Sequence, residues 1–173
     1  MESIEGFTHD ESAFIGQGGF GSVFRGTEDA TGRTVAMKRV VIPQTSPNFD
    51  KALDSARKEI AIAEKIRTHT NILNVIKTSE IKMENPIGKP TVFIWIATAL
   101  CTLGDLRQYA YNYVLTLPVV VHIMKQMASG LAFLHSHTPP IFHMDVKPAN
   151  TLFAVENDKH ILKLSDFGLS REY

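Results

Sequence analysis

The sequence predicts an α+β protein, a five-stranded antiparallel sheet carrying one helix and followed by a mainly helical portion. Three observations lead there. The first 42 residues read as short, glycine-punctuated, β-branched stretches. One stretch, from about Asn48 to Arg67, places Leu53, Ala56, Ile60, Ala63 and Ile66 at three- and four-residue steps. After "LGDL" (103–106) the helical pattern takes over.

In chain order, "SAFIGQGG" (12–19) and "GSVFRGTE" (21–28) read as two strands around a glycine-rich turn. The turn signal "EDATG" (28–32) leads into the β-branched strand "RTVAMKRVVI" (33–42), and Pro43 and Pro47 bound a loop before the helix. "ILNVIKTSEIK" (72–82) and "TVFIWIATA" (91–99) supply two more strands across the turn-rich "MENPIGKP". A short helix is expected over 104–114, and a long one from Pro118, a residue suited to a first helical turn, to about Ser136. At 3.6 residues per turn the long helix carries apolar side chains over about 220° of its circumference. Its main polar arc holds His122, Lys125, Gln126 and Ser129. Such a helix expects neighbours on more than one side, more than the following chain is expected to supply. The strands "TLFAV" (151–155) and "ILKLS" (161–165), joined by the turn "ENDKH", close the series.

Composition narrows the function classes. Eighteen basic and eighteen acidic side chains cancel, so no nucleic-acid or anionic-membrane partner is expected. The single cysteine, Cys101, excludes an internal disulfide framework and is compatible with a reducing compartment. "MESIEGFTHD" lacks the basic and apolar regions of a signal peptide. The apolar run "PTVFIWIATALCTLG" is too short to span a bilayer and reads better as a buried strand. The expectation is a soluble, intracellular, cytoplasmic domain without a membrane segment.

Four stretches carry chemistry. Gly16, Gly18, Gly21 and Val23 form G-x-G-x-x-G-x-V, in which glycine lets backbone approach phosphate oxygens without a Cβ in the way. A dinucleotide fingerprint requires a helix directly after the glycines, and "SVFRG" reads as a strand, so a flap between antiparallel strands fits better. Lys38 lies on "VAMK", either snorkelling to water or laid against a core. Glu59 projects into the apolar arc of its helix between Ala63 and Ile66, and a carboxylate there needs a cation; Lys38 is the candidate. His143, Asp145, Lys147 and Asn150 lie within eight residues, and Asp166 follows. One carboxylate can orient a hydroxyl and take its proton, Asn150 and Asp166 offer the oxygen ligands Mg²⁺ prefers, and a lysine can neutralise a transferring phosphate. Either segment alone could be a capped turn; both in this order fit that reading poorly.

"GQGGFGSV", "VAMK", Glu59 in "RKEI", "HMDVKPAN" and "DFG", with the intervening "HTNIL" and "SGLAFLHS", together resemble the eukaryotic protein kinase family over essentially the whole chain. Lys147 followed by Pro148 resembles the serine/threonine branch. The resemblance implies a protein-kinase-like fold: a small lobe with its hinge over about 10–101, and an incomplete large lobe over 102–173. It implies ATP and Mg²⁺ as cofactors and a protein substrate with a serine or threonine acceptor. Gly16, Gln17, Gly18, Gly19, Phe20 and Gly21, flanked by Ile15 and Ser22, would cover the phosphates. Lys38 would hold the α- and β-phosphates while paired with Glu59. Asp145 would be the base, Lys147 would touch the γ-phosphate, and Asn150 and Asp166 would bind Mg²⁺. Thr98 would be the gatekeeper, Ala99–Cys101 the hinge, and Val23, Ala36 and Leu152 the sandwich around adenine, residues that also read as ordinary core.

Two departures bear on function. Met144 stands where many family members carry an arginine that pairs with a phosphate on the activation loop, and methionine offers no charge. The expectation is loss of that switch with the chemistry intact. A catalytic domain of this family runs to about 250 residues, at the upper end of domain sizes. The chain therefore reads as a genuine start at Met1 and a cut at Tyr173, its own activity open. The competing classes are a non-catalytic module that binds nucleotide or a partner protein, and a small-molecule kinase with a related core.

Overall fold

The structure, a computed structural model, describes residues 4–18, 21–66, 69–84 and 90–173. The expectations for Gly19, Phe20, Arg67 and the "NPIGK" turn lie outside the described residues. The chain divides into two compact units, one of residues 1–61 with 75–100 and one of 62–74 with 101–173.

The first unit is built on five strands: β1 (Phe7–Gly18), β2 (Gly21–Glu28), β3 (Thr34–Pro43), β4 (Val75–Glu84) and β5 (Pro90–Ala99). They form one antiparallel sheet in the order β1-β2-β3-β5-β4. Alternation along the strands gives the sheet two different faces. On one, Phe24, Val35, Met37, Trp95 and Ala97 bury one another with Ile4 and Phe7. On the other, register aligns Val23 with Lys38, Lys38 with Ile96, and Ala36 with Thr98. The far end of that second face buries Val40, Ile42, Val92 and Ile94. Full burial of such a side chain is worth roughly 1.5–3 kcal/mol. Helix α1 (Phe49–Lys65) carries Asp50 in its first turn and Lys65 in its last, both favourable to the helix dipole. Val40, Ile42, Ala52, Ala56 and Glu59 line a common cleft of about 410 Å³ between β3 and α1.

The second unit holds α2 (Leu106–Asn112), α3 (Leu117–His135), the short β6 (Ile141–Phe142), a 3-10 turn (Pro148–Asn150), the hairpin β7 (Thr151–Glu156) and β8 (Lys159–Leu164), and β9 (Arg171–Glu172). Asp105 starts α2 with a reciprocal cap: its side chain accepts from the backbone of Arg107 and Gln108, while Gln108 accepts from the backbone of Asp105. Asn157 and Asp158 both take positive φ, the pairing a two-residue hairpin turn demands. Ile66, Ile72, Leu134, Ile141, Leu162 and Leu164 are fully buried in the core of this unit. The segment 62–74 belongs here because Ile66 and Ile72 are part of that core, and Ile72 bridges to Leu164. Neither the β6–β9 pair nor the 3-10 turn has a periodic signature in sequence; each is set by the packing of loops.

The α3 expectation needs one correction. Gln126, expected on the polar arc, is buried, while Val121 and Met124 of the apolar arc are exposed. Gln126 turns inward because its amide oxygen accepts from the backbone N–H of Leu162 and from Asn71 Nδ2, at 2.9 and 3.0 Å. Asn71 also donates to the carbonyl of Leu162. A polar residue in the core is stable when its bonds are made there. By length and composition α3 is apolar enough to cross a bilayer, the one such helix among the described residues. Ile123, Gly130 and Leu134 on the same helix are buried within the unit.

Candidate active site

In the first unit the sheet delivers Lys38 and α1 delivers Glu59, and Lys38 Nζ donates to Glu59 Oε1 at 2.6 Å. Both side chains are largely buried, 17% and 9% exposed, so neither charge is solvated well enough to stand alone. The pairing expected from helix projection is therefore made. Val23, Ala36 and Thr98 share the Lys38 face by register. Gly16 pairs with Val23, Gln17 with Ser22 and Gly18 with Gly21, so β1 and β2 converge on the glycine-rich turn as an antiparallel flap. Ile15, on β1 before the turn, is exposed. A side chain on Gly21 would meet the carbonyl oxygen of Arg39 at 2.2 Å, whereas one on Gly16 would enter open space. The flap thus combines a tight backbone contact at Gly21 with open space at Gly16, where backbone can approach phosphate oxygens. Ala99 ends β5.

In the second unit the geometry is built from a loop. Asp145 Oδ2 accepts from Lys147 Nζ at 2.7 Å and from Asn150 Nδ2 at 2.8 Å. Asn150 Nδ2 also donates to the Asp145 carbonyl at 3.0 Å. Both side-chain donors fall on one carboxylate oxygen, which leaves Oδ1 for a hydroxyl. The Lys147 ammonium, ahead of the Asn150 bond, holds the Asp145 carboxyl below the usual carboxylate range and keeps it ionised.

Below this carboxylate lies a set of partners that sequence reasoning missed or left without a role. His143 is buried; its Nε2 donates to the carbonyl of Ser165 at 3.0 Å, and its Nδ1 accepts from the backbone N–H of Asp145. Burial pushes the His143 pKa down, so the ring is neutral and carries its proton on Nε2. Ser165 donates to the carbonyl of Asn150 through both its backbone N–H and its hydroxyl. Thr151 Oγ1 donates to the carbonyl of Lys147, and Ser170 Oγ to that of His143. The only sequence signal for Ser165 and Thr151 is adjacency, one beside Asp166 and one beside Asn150.

Asp166 adopts φ of 65° and Met144 φ of 62°, left-handed conformations that non-glycine residues seldom take. Such strain concentrates where a fixed side-chain direction matters. Met144 is 59% exposed. Leu152 lies on β7 and bridges to Asp105. Burial pushes the Cys101 thiol up to about 12, so this residue presents a neutral thiol.

The donor set fits magnesium. With the amide nitrogen of Asn150 committed to Asp145, its oxygen is the atom left for a cation, and Asp166 adds a carboxylate. No group of three or more His, Cys, Asp or Glu among the described residues could cage a metal. Two hard oxygen donors suit an ion that brings water and phosphate as its other ligands.

A glycine flap, a buried lysine–glutamate pair and a loop carboxylate held by lysine and asparagine are parts of the kind that phosphoryl-transfer proteins use. Residues 9–173 match the family model described as "Protein kinase domain". The chain belongs to the protein kinase family. It is similar to a Caenorhabditis elegans protein described as "Probable cyclin-dependent kinase 9", 34% identical over 170 residues that cover 96% of this chain and 33% of the relative. It is 31% identical to human cyclin-dependent kinase 9 over 167 residues, covering 95% of this chain and 42% of the relative. Danio rerio cyclin-dependent kinase 9 is 32% identical over 173 residues, with the same coverage. The chain thus spans a third to about two-fifths of the length of these curated relatives.

Proposed function

We propose that the whole protein is a serine/threonine protein kinase that transfers the γ-phosphate of ATP to protein hydroxyls. The observation that carries this reading is Asp145, ionised, fixed through Oδ2 by Lys147 and Asn150, with Oδ1 left for an acceptor hydroxyl. In this reading Asp145 orients the hydroxyl and takes its proton as the new P–O bond forms and the bond from the γ-phosphorus to the β,γ-bridging oxygen breaks, with ADP as the leaving group. Lys147, one hydrogen bond away, is placed to meet the negative charge of the transferred group. Lys38, aligned by Glu59, holds the nucleotide phosphates, and the backbone of the glycine flap covers them. Magnesium bound by Asn150 and Asp166 supplies neutralisation of phosphate charge. Val23, Ala36, Thr98, Ala99, Cys101 and Leu152 are the adenine contacts of this proposal, with Ile15, Gln17 and Ser22 around the flap.

Met144 brings no cation beside Asp145, so the proposal includes catalysis without a phosphate on the activation loop. The relatives' names state dependence on a cyclin, and a protein partner of that kind and an intracellular setting belong to the same proposal. The test is phosphate transfer from labelled ATP to serine and threonine peptides by the whole protein and its Asp145→Asn variant. Transfer by the former alone, undiminished after phosphatase treatment, is the expected result. Nucleotide binding without transfer makes the protein a binding module instead, and transfer lost on phosphatase treatment overturns the role given to Met144.

A further inference from the structure

The sheet face opposite Lys38 carries a cluster that the proposed chemistry does not use. Arg39 follows Lys38 on β3 and points the other way, as strand alternation requires. Its guanidinium lies over the Phe24 ring of β2, 4.8 Å from the centroid, and 5.4 Å from that of Trp95 on β5. Beyond Phe24 it reaches β1, where Nη1 and Nη2 each donate to one oxygen of Glu11, the second at 3.1 Å. His9 adds a contact to the same carboxylate and packs its ring against Phe24 and Trp95. Arg39 therefore ties β3 to β1 across β2, two strands that share no backbone ladder.

The tie falls where β1 is irregular. The β1–β2 register shifts between His9 and Phe14 and again between Phe14 and Gly16, so the ladder alone does not fix how β1 enters the glycine-rich turn. The other end of the turn rests on the same residue, because Gly21 packs directly against the Arg39 carbonyl. Stability alone does not account for the cluster. His9 Nδ1, Arg39 Nε and Trp95 Nε1 are buried without a hydrogen-bond partner among the described residues, a cost that an apolar cluster of the same shape avoids. Local costs of this kind collect where function sets the arrangement.

We infer that the Arg39–Glu11 pair is a staple that positions the two described ends of the glycine-rich turn, Gly16–Gly18 and Gly21, relative to Lys38. Arg39 and Glu11 are positioning residues; neither is on the Lys38 face. The consequence for nucleotide rests on the kinase reading, whereas the consequence for the turn does not. The pair is bidentate and its arginine is stacked on two rings, the geometry in which an accessible ion pair has a measurable effect. Glu11 is mostly exposed, so Glu11→Gln removes the charge without touching the core.

The experiment uses this chain with Glu11→Gln, Arg39→Met and the exchanged pair Glu11→Arg/Arg39→Glu. Hydrogen exchange at the Gly16 and Gly21 amides and calorimetric Mg·ATP binding are measured on each. The single variants are expected to raise turn exchange, and to raise the Kd for Mg·ATP, about three- to fivefold. Exchange at β3–β5 amides stays unchanged, and the exchanged pair recovers most of both losses. Unchanged turn exchange in Glu11→Gln overturns the staple. So does a loss that the exchanged pair fails to recover, since that assigns the effect to ring packing. Should the unsubstituted chain bind no Mg·ATP, the nucleotide reading falls while turn exchange still decides the staple.

Discussion

Lys38 and Asp145 are positioned by opposite means. Lys38 sits in the middle of a five-stranded sheet, where ladder register fixes its backbone and the buried ion pair with Glu59 helps to hold its side chain. Asp145 sits in a loop with no regular hydrogen bonding, and side chains replace the ladder. Asn150, His143, Thr151, Ser165 and Ser170 each donate to a backbone carbonyl of the loop or its neighbours. The difference teaches where precision comes from. A strand obtains it from repetition, and a loop from a closed set of polar bonds in which every member matters.

That contrast is tested most sharply at the loop. Asp145→Asn in the whole protein is expected to lower kcat by about 10²–10⁴-fold while leaving Mg·ATP affinity nearly intact, read from steady-state kinetics beside calorimetry. Equal loss of binding and rate means that Asp145 also holds the nucleotide.

On the sheet side, Glu59→Leu removes the carboxylate that accepts from Lys38 Nζ at 2.6 Å. A hydrogen bond to a charged group is worth about 1.5–3 kcal/mol, so urea unfolding should lose that much. A loss near zero means that Lys38 reaches water and that charge does not position it.

A comparable effect is expected at Gln126. Gln126→Ala takes the acceptor from the Leu162 N–H and from Asn71 Nδ2 and should cost roughly 2 kcal/mol. Gln126→Leu costs as much if hydrogen bonding is the cause and less if volume is.

The smallest effect separates the loop by pH. Burial lowers the His143 pKa below 6.5, so between the two values the unfolded chain binds a proton that the folded chain does not. Stability from neutral His143 is complete above about 6.5 and falls as pH drops from there through the lowered native value. For one proton the slope is at most about 1.4 kcal/mol for each pH step of one. His143→Phe should flatten that slope, measured as Tm against pH; an unchanged slope assigns it to other groups.

The elements legible in sequence were those with a period. The strands "GSVFRGTE" and "TVFIWIATA" and the helix through Leu53 and Ala56 correspond to β2, β5 and α1 because alternation and 3.6-residue spacing are local properties. Glu59 was legible for the same reason, as a charge on an apolar arc. Gln126 was misplaced by that reasoning, since a projection knows hydrophobicity and not the N–H of Leu162 waiting on β8. The site residues of "HMDVKPAN" and "DFG" were legible only as an ordered set resembling a family, with no periodicity behind them.

Residue identity and local spacing by themselves determined the strands, the helices, the charge that Lys38 had to satisfy and the family to which the chain belongs. Tertiary structure alone decided which oxygen of Asp145 is bound and which nitrogen of His143 carries the proton. It also decided that Arg39 reaches across β2 to Glu11. The physical reason is range. Backbone periodicity is set by neighbours three or four residues apart, whereas a hydrogen bond closes between groups whose separation along the chain, from Arg39 to Glu11 or from His143 to Ser165, no local rule records.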